Sequence, residues 1–336
     1  MRTILRAALV LAVFAAGAAA ADAGPVKHWA QLPGRAIRTV ALRGDMAHES
    51  VMEIVPGADG WIYMRGKNAV YRLLGTDGAF TSAAFFDWCD DRQARAVVPY
   101  PTPAFACVAK NIIIEMKDGV QYRRTLPTPS WTGAGDGYAY DYPFVTSIER
   151  AEGGRWWFAY GYARGLGFSD PGGRTRLVRM DGLPPIRHIA RLGDDLFVGA
   201  DGCVVARIRD LKLRGTDKMC SAPMAPRLVR TADALWALNG STVVRRDAAG
   251  TSRRWEPGAG GAGVAYGRAA HVTYFIGSER SGRAVLVTLG ADGVPRTARL
   301  PMLGGSSIAV DARGRIWISD EYDHSLVAIA PPGAWG

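Results

Sequence analysis

A unit of about forty residues recurs along the chain, and its clearest copy runs from Ser306 to Pro331. There SSIAVDARGRIWISDEYDHSLVAIAP reads as a strand, a tight turn at Asp311–Gly314, a strand centred on Trp317, a second turn and a third strand. A large apolar residue, usually just after a Gly or Asp turn, marks the second strand of each unit. These anchors are Trp61, Phe105, Trp156, Leu196, Trp236, Tyr274 and Trp317, with steps of 44, 51, 40, 40, 38 and 43 residues. A four-stranded unit needs about 40 to 45 residues, so only the second step is long. One such unit cannot bury its own apolar faces, so copies must stack. Short strands repeated at this period make a β-propeller.

Around the anchors, apolar or alternating stretches of four to seven residues are separated by Gly-rich or Asp-Gly turns, the hairpin pattern. No long stretch after the leader has helical periodicity. The chain therefore reads as all-β, one propeller domain over residues 24–336, with seven four-stranded blades. Six blades plus an irregular second unit is the alternative. The last unit runs out of chain after Val327–Ala330, whereas Ile37–Leu42 is a strand with no blade of its own. That strand is expected to complete the last blade and close the ring, which protects its edge.

Residues 1–23 read as a secretory signal peptide. Arg2 and Arg6 precede an Ala-rich apolar run, and Ala21-Asp22-Ala23 or Ala18-Ala19-Ala20 supplies a small-residue cleavage site. The run is too short for a good membrane span. A periplasmic or secreted protein without a transmembrane anchor is expected, and a monomer. The net charge of +10 is scattered, with no basic stripe of the kind nucleic acid requires. Anionic envelope surfaces suit such a charge better. Four cysteines fit an oxidising compartment. Strand direction puts Cys89 with Cys107, and Cys203 with Cys220, on one face of the ring. Each pairing would close a loop contributing about 3 kcal/mol.

Propellers bind ligands at the channel mouth, on the face built by the blade connections and the turns between second and third strands. The turns on this face present Arg65, Asp201, Asn239, Glu279 and Asp320, with Glu321, Asp323 and His324 beside the last. Connections add His48, Glu49 and a long aromatic insertion, Pro127 to Tyr142, carrying Trp131, Tyr138, Tyr140 and Tyr142. Trp and Tyr suit stacking on a sugar ring or apolar ligand. Carboxylates with a histidine suit a hard cation or acid–base work. Asp, Asn and Gly also form turns for local reasons, and the aromatic loop would equally serve as a channel plug. Glu53 and Glu149 fall on innermost strands, as does His188, which reads as structural. Gly258–Gly263 matches a phosphate-binding spacing by letter, but without a following helix it reads as a flexible blade connection.

The repeats resemble NHL-type propellers and streptogramin (virginiamycin B) lyase-like proteins. Arg299-Leu-Pro301 followed by Ala309-Val-Asp-Ala-Arg-Gly-Arg-Ile-Trp317 carries the likeness best, and Thr125-Leu-Pro127 and Gln31-Leu-Pro33 echo it. The resemblance implies a propeller fold. In the lyases a histidine and a glutamate at the channel mouth, with bound magnesium, open a lactone. Glu279 and His324 are of the right types on the expected face, but the catalytic motif does not match position by position. The last blade also looks like gluconolactonase-type propellers, yet Gly304-Gly-Ser-Ser307 stands where a metal-binding Asp is expected.

Two readings follow. The first is an exported binding or interaction module for a small molecule, glycan or envelope protein, with Arg65, Asn239, Trp131 and the loop tyrosines as contacts. The second is a metal-dependent lyase or hydrolase, with Glu279 and His324 catalytic and Asp320 and Glu279 holding Mg or Ca. The cysteine pairing is checked by thiol trapping: Cys107→Ser should leave Cys89 as the single reactive thiol, and trapping of Cys203 or Cys220 would overturn it.

Overall fold

Side-chain chemistry sets the turn before the anchor strand. In the last unit Asp311 accepts hydrogen bonds from the backbone N–H of Arg313 (2.9 Å) and Arg315 (3.0 Å) through one carboxylate oxygen. Its other oxygen accepts from Arg315 Nε (2.6 Å) and Trp317 Nε1 (2.9 Å). Gly314 supplies the positive φ of +76° that the turn needs. Asp-x-x-Gly-x-x-Trp is thus one hydrogen-bonded unit, fixing the turn and the anchor's rotamer together. In the fifth unit Thr231 takes this place, accepting from Trp236 Nε1 at 3.2 Å and donating to the Ala234 carbonyl.

In the computed structural model the described residues are 21–22, 27–29, 36–41, 53–56, 61–65, 70–74, 94–98, 104–107, 112–117, 120–131 and 145–330, apart from 162, 221–222, 232–233, 241, 257–259, 268–271, 280, 291–292, 312 and 321–324. They form seven sheets in chain order, antiparallel apart from two short edge strands, and each anchor lies on the second strand of its own sheet. The first sheet comprises Glu53–Pro56, Trp61–Arg65 and Val70–Leu74. The third comprises Val145–Arg150, Trp156–Tyr160, Gly165–Ser169 and Thr175–Arg179. The fourth comprises Ile186–Leu192, Asp195–Ala200, Val204–Arg209 and Lys212–Lys218. The first strand of each sheet lies against that of the next, and that of the seventh (Gly305–Val310) lies against that of the first. The protein is an all-β propeller.

Register shifts near the start of the first strand recur in the second, third, fourth, sixth and seventh sheets. A bulge there adds local twist and re-aims side chains. Two bulge positions carry serines that join sheets. Ser147 Oγ accepts from Ile189 N in the fourth sheet (3.1 Å), and Ser307 Oγ accepts from Ile54 N across the seventh-to-first seam (3.0 Å). Between sheets the core is apolar, as where Trp236, Trp255 and Phe275 fill the fifth-to-sixth interface.

The outer strand of the seventh sheet is Ala36–Ala41, paired antiparallel with Ser325–Ala330. The arm before it adds a contribution absent from the sequence reading. Ala21–Asp22 pairs in parallel with Arg253–Arg254 at the edge of the fifth sheet, and Lys27–Trp29 with Arg296–Ala298 at the edge of the sixth. The Gly258–Gly263 stretch needs correction: Gly260–Gly267 is the first strand of the sixth sheet, not a connection. Its backbone pairs with Val272–Ser278, and a ladder needs no side chains to form.

Cys203 and Cys220 form a disulfide, with Cα atoms 5.6 Å apart. Cys89, and the side chain of Cys107, lie outside the described residues. Among the described residues no helix is long and apolar enough to cross a membrane.

Deleting residues 36–41 should expose Ser325–Ala330, a fully buried strand, as a bare edge. The expected drop in melting temperature is roughly ten degrees or more. Deleting residues 27–29, which only extend the edge of a complete sheet, should lower it by far less. Equal effects in calorimetry would contradict this account.

Candidate functional site

The second strands present Arg65, Asp201, Asn239, Glu279 and Asp320 at one common end, the face expected from the sequence. Three of these side chains are engaged in holding the scaffold. Asp201 accepts from Arg187 Nε (3.1 Å) and Nη2 (2.9 Å). Asn239 donates from Nδ2 to the Met224 carbonyl at 2.7 Å, fixing the connection after the disulfide. Glu279 accepts from Arg299 Nε at 2.9 Å, on the fourth strand of its sheet. Trp131 donates its indole N–H to the Ala163 carbonyl (2.9 Å). Beside it, the Tyr160 hydroxyl donates to the Pro127 carbonyl (2.6 Å). The base of the aromatic insertion is therefore tied to the second hairpin turn of the third sheet. His48, Glu49, Tyr138, Tyr140, Tyr142, Glu321, Asp323 and His324 lie outside the described residues, as do the side chains of Arg65, Asp320 and Glu53. Among the described residues no three His, Cys, Asp or Glu side chains group closely enough to hold a metal ion.

A second feature lies on the opposite face. Antiparallel register aligns Glu149, Trp157, Phe168 and Arg176 across the four strands of the third sheet. Cross-strand partners share a face, so these four make one row from channel side to periphery. The facing row on the fourth sheet is Arg191, Leu196 and Ile208. Between the rows lies a wedge of about 680 Å³, lined by Trp157, Phe168 and Arg176 on one side and Arg191, Leu196 and Ile208 on the other, opening at the turns between first and second and between third and fourth strands.

The wedge has one aromatic wall and one aliphatic wall. Trp157 and Phe168 meet edge-to-face, with centroids 5.4 Å apart. Arg155 stacks over Phe168 at 4.5 Å and is held by Asp170 at 2.6 Å, which also binds Arg174. Hydrogen bonding from Arg155 is the main reason the Asp170 carboxyl sits below its ordinary range. Opposite, Leu196 and Ile208 are buried, and Leu211 tucks under them from a two-residue turn. Both turn residues, Asp210 and Leu211, have positive φ (54° and 58°). Leucine pays a steric penalty in that region, so packing of its buried side chain holds it there.

Glu149 closes the channel end of the aromatic row. Its side chain is 15% exposed, and the Arg230 guanidinium lies 3.6 Å away. Burial raises its pKa to about 7, against the opposing influence of Arg230 and Arg191. Sequence reading placed Glu149 on an innermost strand but gave no sign of the wedge. The available signal was the Trp156-Trp157 doublet, where alternation sends one indole into the blade core and the other to the opposite side.

No protein-family model matches the sequence, and no curated protein matches it. The fold is similar to a streptogramin B lyase structure, with 15% identity, a TM-score of 0.69, and coverage of 88% of this chain and 97% of that one. The virginiamycin B lyase of Staphylococcus aureus is similar too, at 14% identity and a TM-score of 0.67, over 88% of this chain and 99% of that one. The extracellular domain of a one-component system from B. thetaiotaomicron gives 14% identity and a TM-score of 0.60, over 88% of this chain and 39% of that one. The fold is a streptogramin-lyase-like β-propeller.

Glu149 has a consequence for stability. The folded state keeps its proton to about pH 7, whereas the unfolded carboxyl releases it near 4.5. Stability should therefore fall as pH rises between these values, by an amount on the order of 3 kcal/mol. Glu149→Gln should remove that decline, so its melting temperature relative to the parent rises from pH 4.5 to pH 8. Parallel curves for the two proteins would refute the burial account.

Proposed function

We propose that this protein is an exported ligand-binding propeller of the bacterial envelope, periplasmic or secreted, whose ligand seats in the wedge between the third and fourth blades. The observation that carries the reading is the wedge itself. Adjacent blades ordinarily pack at crystal-like density, and an unfilled space between them forfeits dispersion contacts. This one has a volume in the range of small-molecule sites, with an aromatic wall and a rim rich in arginine and aspartate. Export is in keeping with the basic, Ala-rich leader and with the Cys203–Cys220 disulfide. The similar extracellular domain is a further parallel.

This moves the expected ligand seat from the channel mouth to the opposite face. Asp201, Asn239 and Glu279 are engaged in holding turns and connections. Trp157, partly buried, and Arg176, exposed, line the wedge.

A thermal-shift screen of sugars, organic acids and short peptides, with Mg and Ca as separate arms, tests the reading. Binding raises the midpoint by mass action. The expected hit loses its shift in Trp157→Ala and keeps it in Glu279→Gln. A saturable rise with Mg or Ca that disappears in Glu279→Gln would favour a metal-dependent lyase or hydrolase instead.

A further inference from the structure

We infer that the wedge selects a planar aromatic carboxylate, with its ring between Trp157 and the Leu196/Ile208 wall and its carboxylate at Arg176. This deepens the proposed function and rests on it.

The two walls differ in what they accept. Trp157 and Phe168 form one side and buried aliphatic side chains the other. A flat ring meets both, with its face on the aliphatic side and an offset or edge contact with the indole. Neighbouring strands lie about 4.8 Å apart, so the step from Trp157 past Phe168 to Arg176 covers roughly 10 Å. That is the length of a single ring carrying a short acid side chain.

Of the four arginines that line the wedge, three have partners and one makes no ion pair among the described residues. Arg155 is held by Asp170 (2.6 Å) and Arg209 by Asp195 (2.8 Å). Asp194 and Asp210 also line the wedge, but both act on Arg209, at the fourth-sheet side. Arg191 donates to the Gly193 carbonyl at 3.0 Å and lies near Glu149. Arg176 stands at the peripheral end of the aromatic row, exposed, and makes no ion pair among the described residues. A guanidinium offers a planar fork that matches a carboxylate in two hydrogen bonds. Cation and aromatic wall therefore sit on one face, in the order a ring-and-acid ligand presents them.

Phenylacetate and indole-3-acetate are suitable probes, with phenylacetamide as the neutral counterpart and glucuronate and glucose as non-aromatic controls. Affinities are read by isothermal titration on the full mature chain at constant salt. The aromatic acids should bind saturably and more tightly than phenylacetamide. Arg176→Gln should weaken the acids roughly tenfold or more while leaving the amide unchanged. Trp157→Ala should weaken acids and amide together. Arg176 is exposed, so its variant should keep the parent melting temperature, and that is verified first. Equal affinity for acid and amide, indifference to Arg176→Gln, or absence of saturable binding by the aromatic acids overturns the inference. Sugar binding that depends on Trp157 would leave the wedge as the site and correct only the ligand class. If every bound probe is indifferent to Trp157→Ala, the proposed site fails as well.

Discussion

The pairing of Ala36–Ala41 with Ser325–Ala330 is the contact on which the propeller geometry depends. Every residue of Ser325–Ala330 is buried, and Leu326, Val327, Ala328 and Ile329 are all but inaccessible. Left as an edge, this strand would expose both a polar ladder and an apolar surface. The cover comes from the far end of the chain, so the sheet that completes the ring cannot form until both ends meet. Across the same seam Ser307 binds the Ile54 backbone. A long-range pairing of this kind is slow to form, because the two ends of the chain must meet first.

Within that frame, the size of the facing side chains decides whether two blades meet or leave room. At the fifth-to-sixth interface Trp236 stacks on Trp255 at 5.7 Å and meets Phe275 at 5.0 Å, so aromatics come from both sides. At the third-to-fourth interface the aromatics come from one side only. Trp157 and Phe168 pack, only partly buried, against the cluster that holds Leu196 and Ile208, and space remains beside them towards the turns. Arg155 and Arg209, each held by an aspartate of its own blade, then keep the rim open instead of bridging it. The wedge follows from ordinary packing with one wall under-filled.

The fold was legible because its signals are local. Trp156, Trp236 and Trp317 follow turns whose chemistry is written within a few residues, and the Asp311 unit joins turn to anchor without outside help. Ile37–Leu42 stood out as a strand without a blade. What escaped notice depends on contacts distant in sequence. Ala21–Asp22 and Lys27–Trp29 are too short to carry a period of their own and exist as strands through the edges they join. Gly260–Gly267 has no side-chain pattern to betray a strand. Asp201, Asn239 and Glu279 stand at the ends of second strands, a position that strand length and turn spacing make readable. Their ion-pair and carbonyl partners, Arg187, Met224 and Arg299, lie 14 to 20 residues away and leave no trace in spacing. The wedge needs two blades in register, which no single motif encodes.

Glu149 shows how closely the site and the ring are linked. A lone carboxylate on an innermost strand would ordinarily be solvated, yet this one is buried enough to resist ionisation. Its partners belong to the next two blades: the Arg191 backbone N–H from the fourth and the Arg230 guanidinium from the fifth. Its neighbour in register, Trp157, forms the wall of the wedge. Spacing between three consecutive blades thus fixes both how much water reaches Glu149 and how far Trp157 stands from the opposite wall. Any ligand that wedges the third and fourth blades apart would also alter the hydration of this carboxyl. In a propeller a site between blades is inseparable from the angle at which they meet.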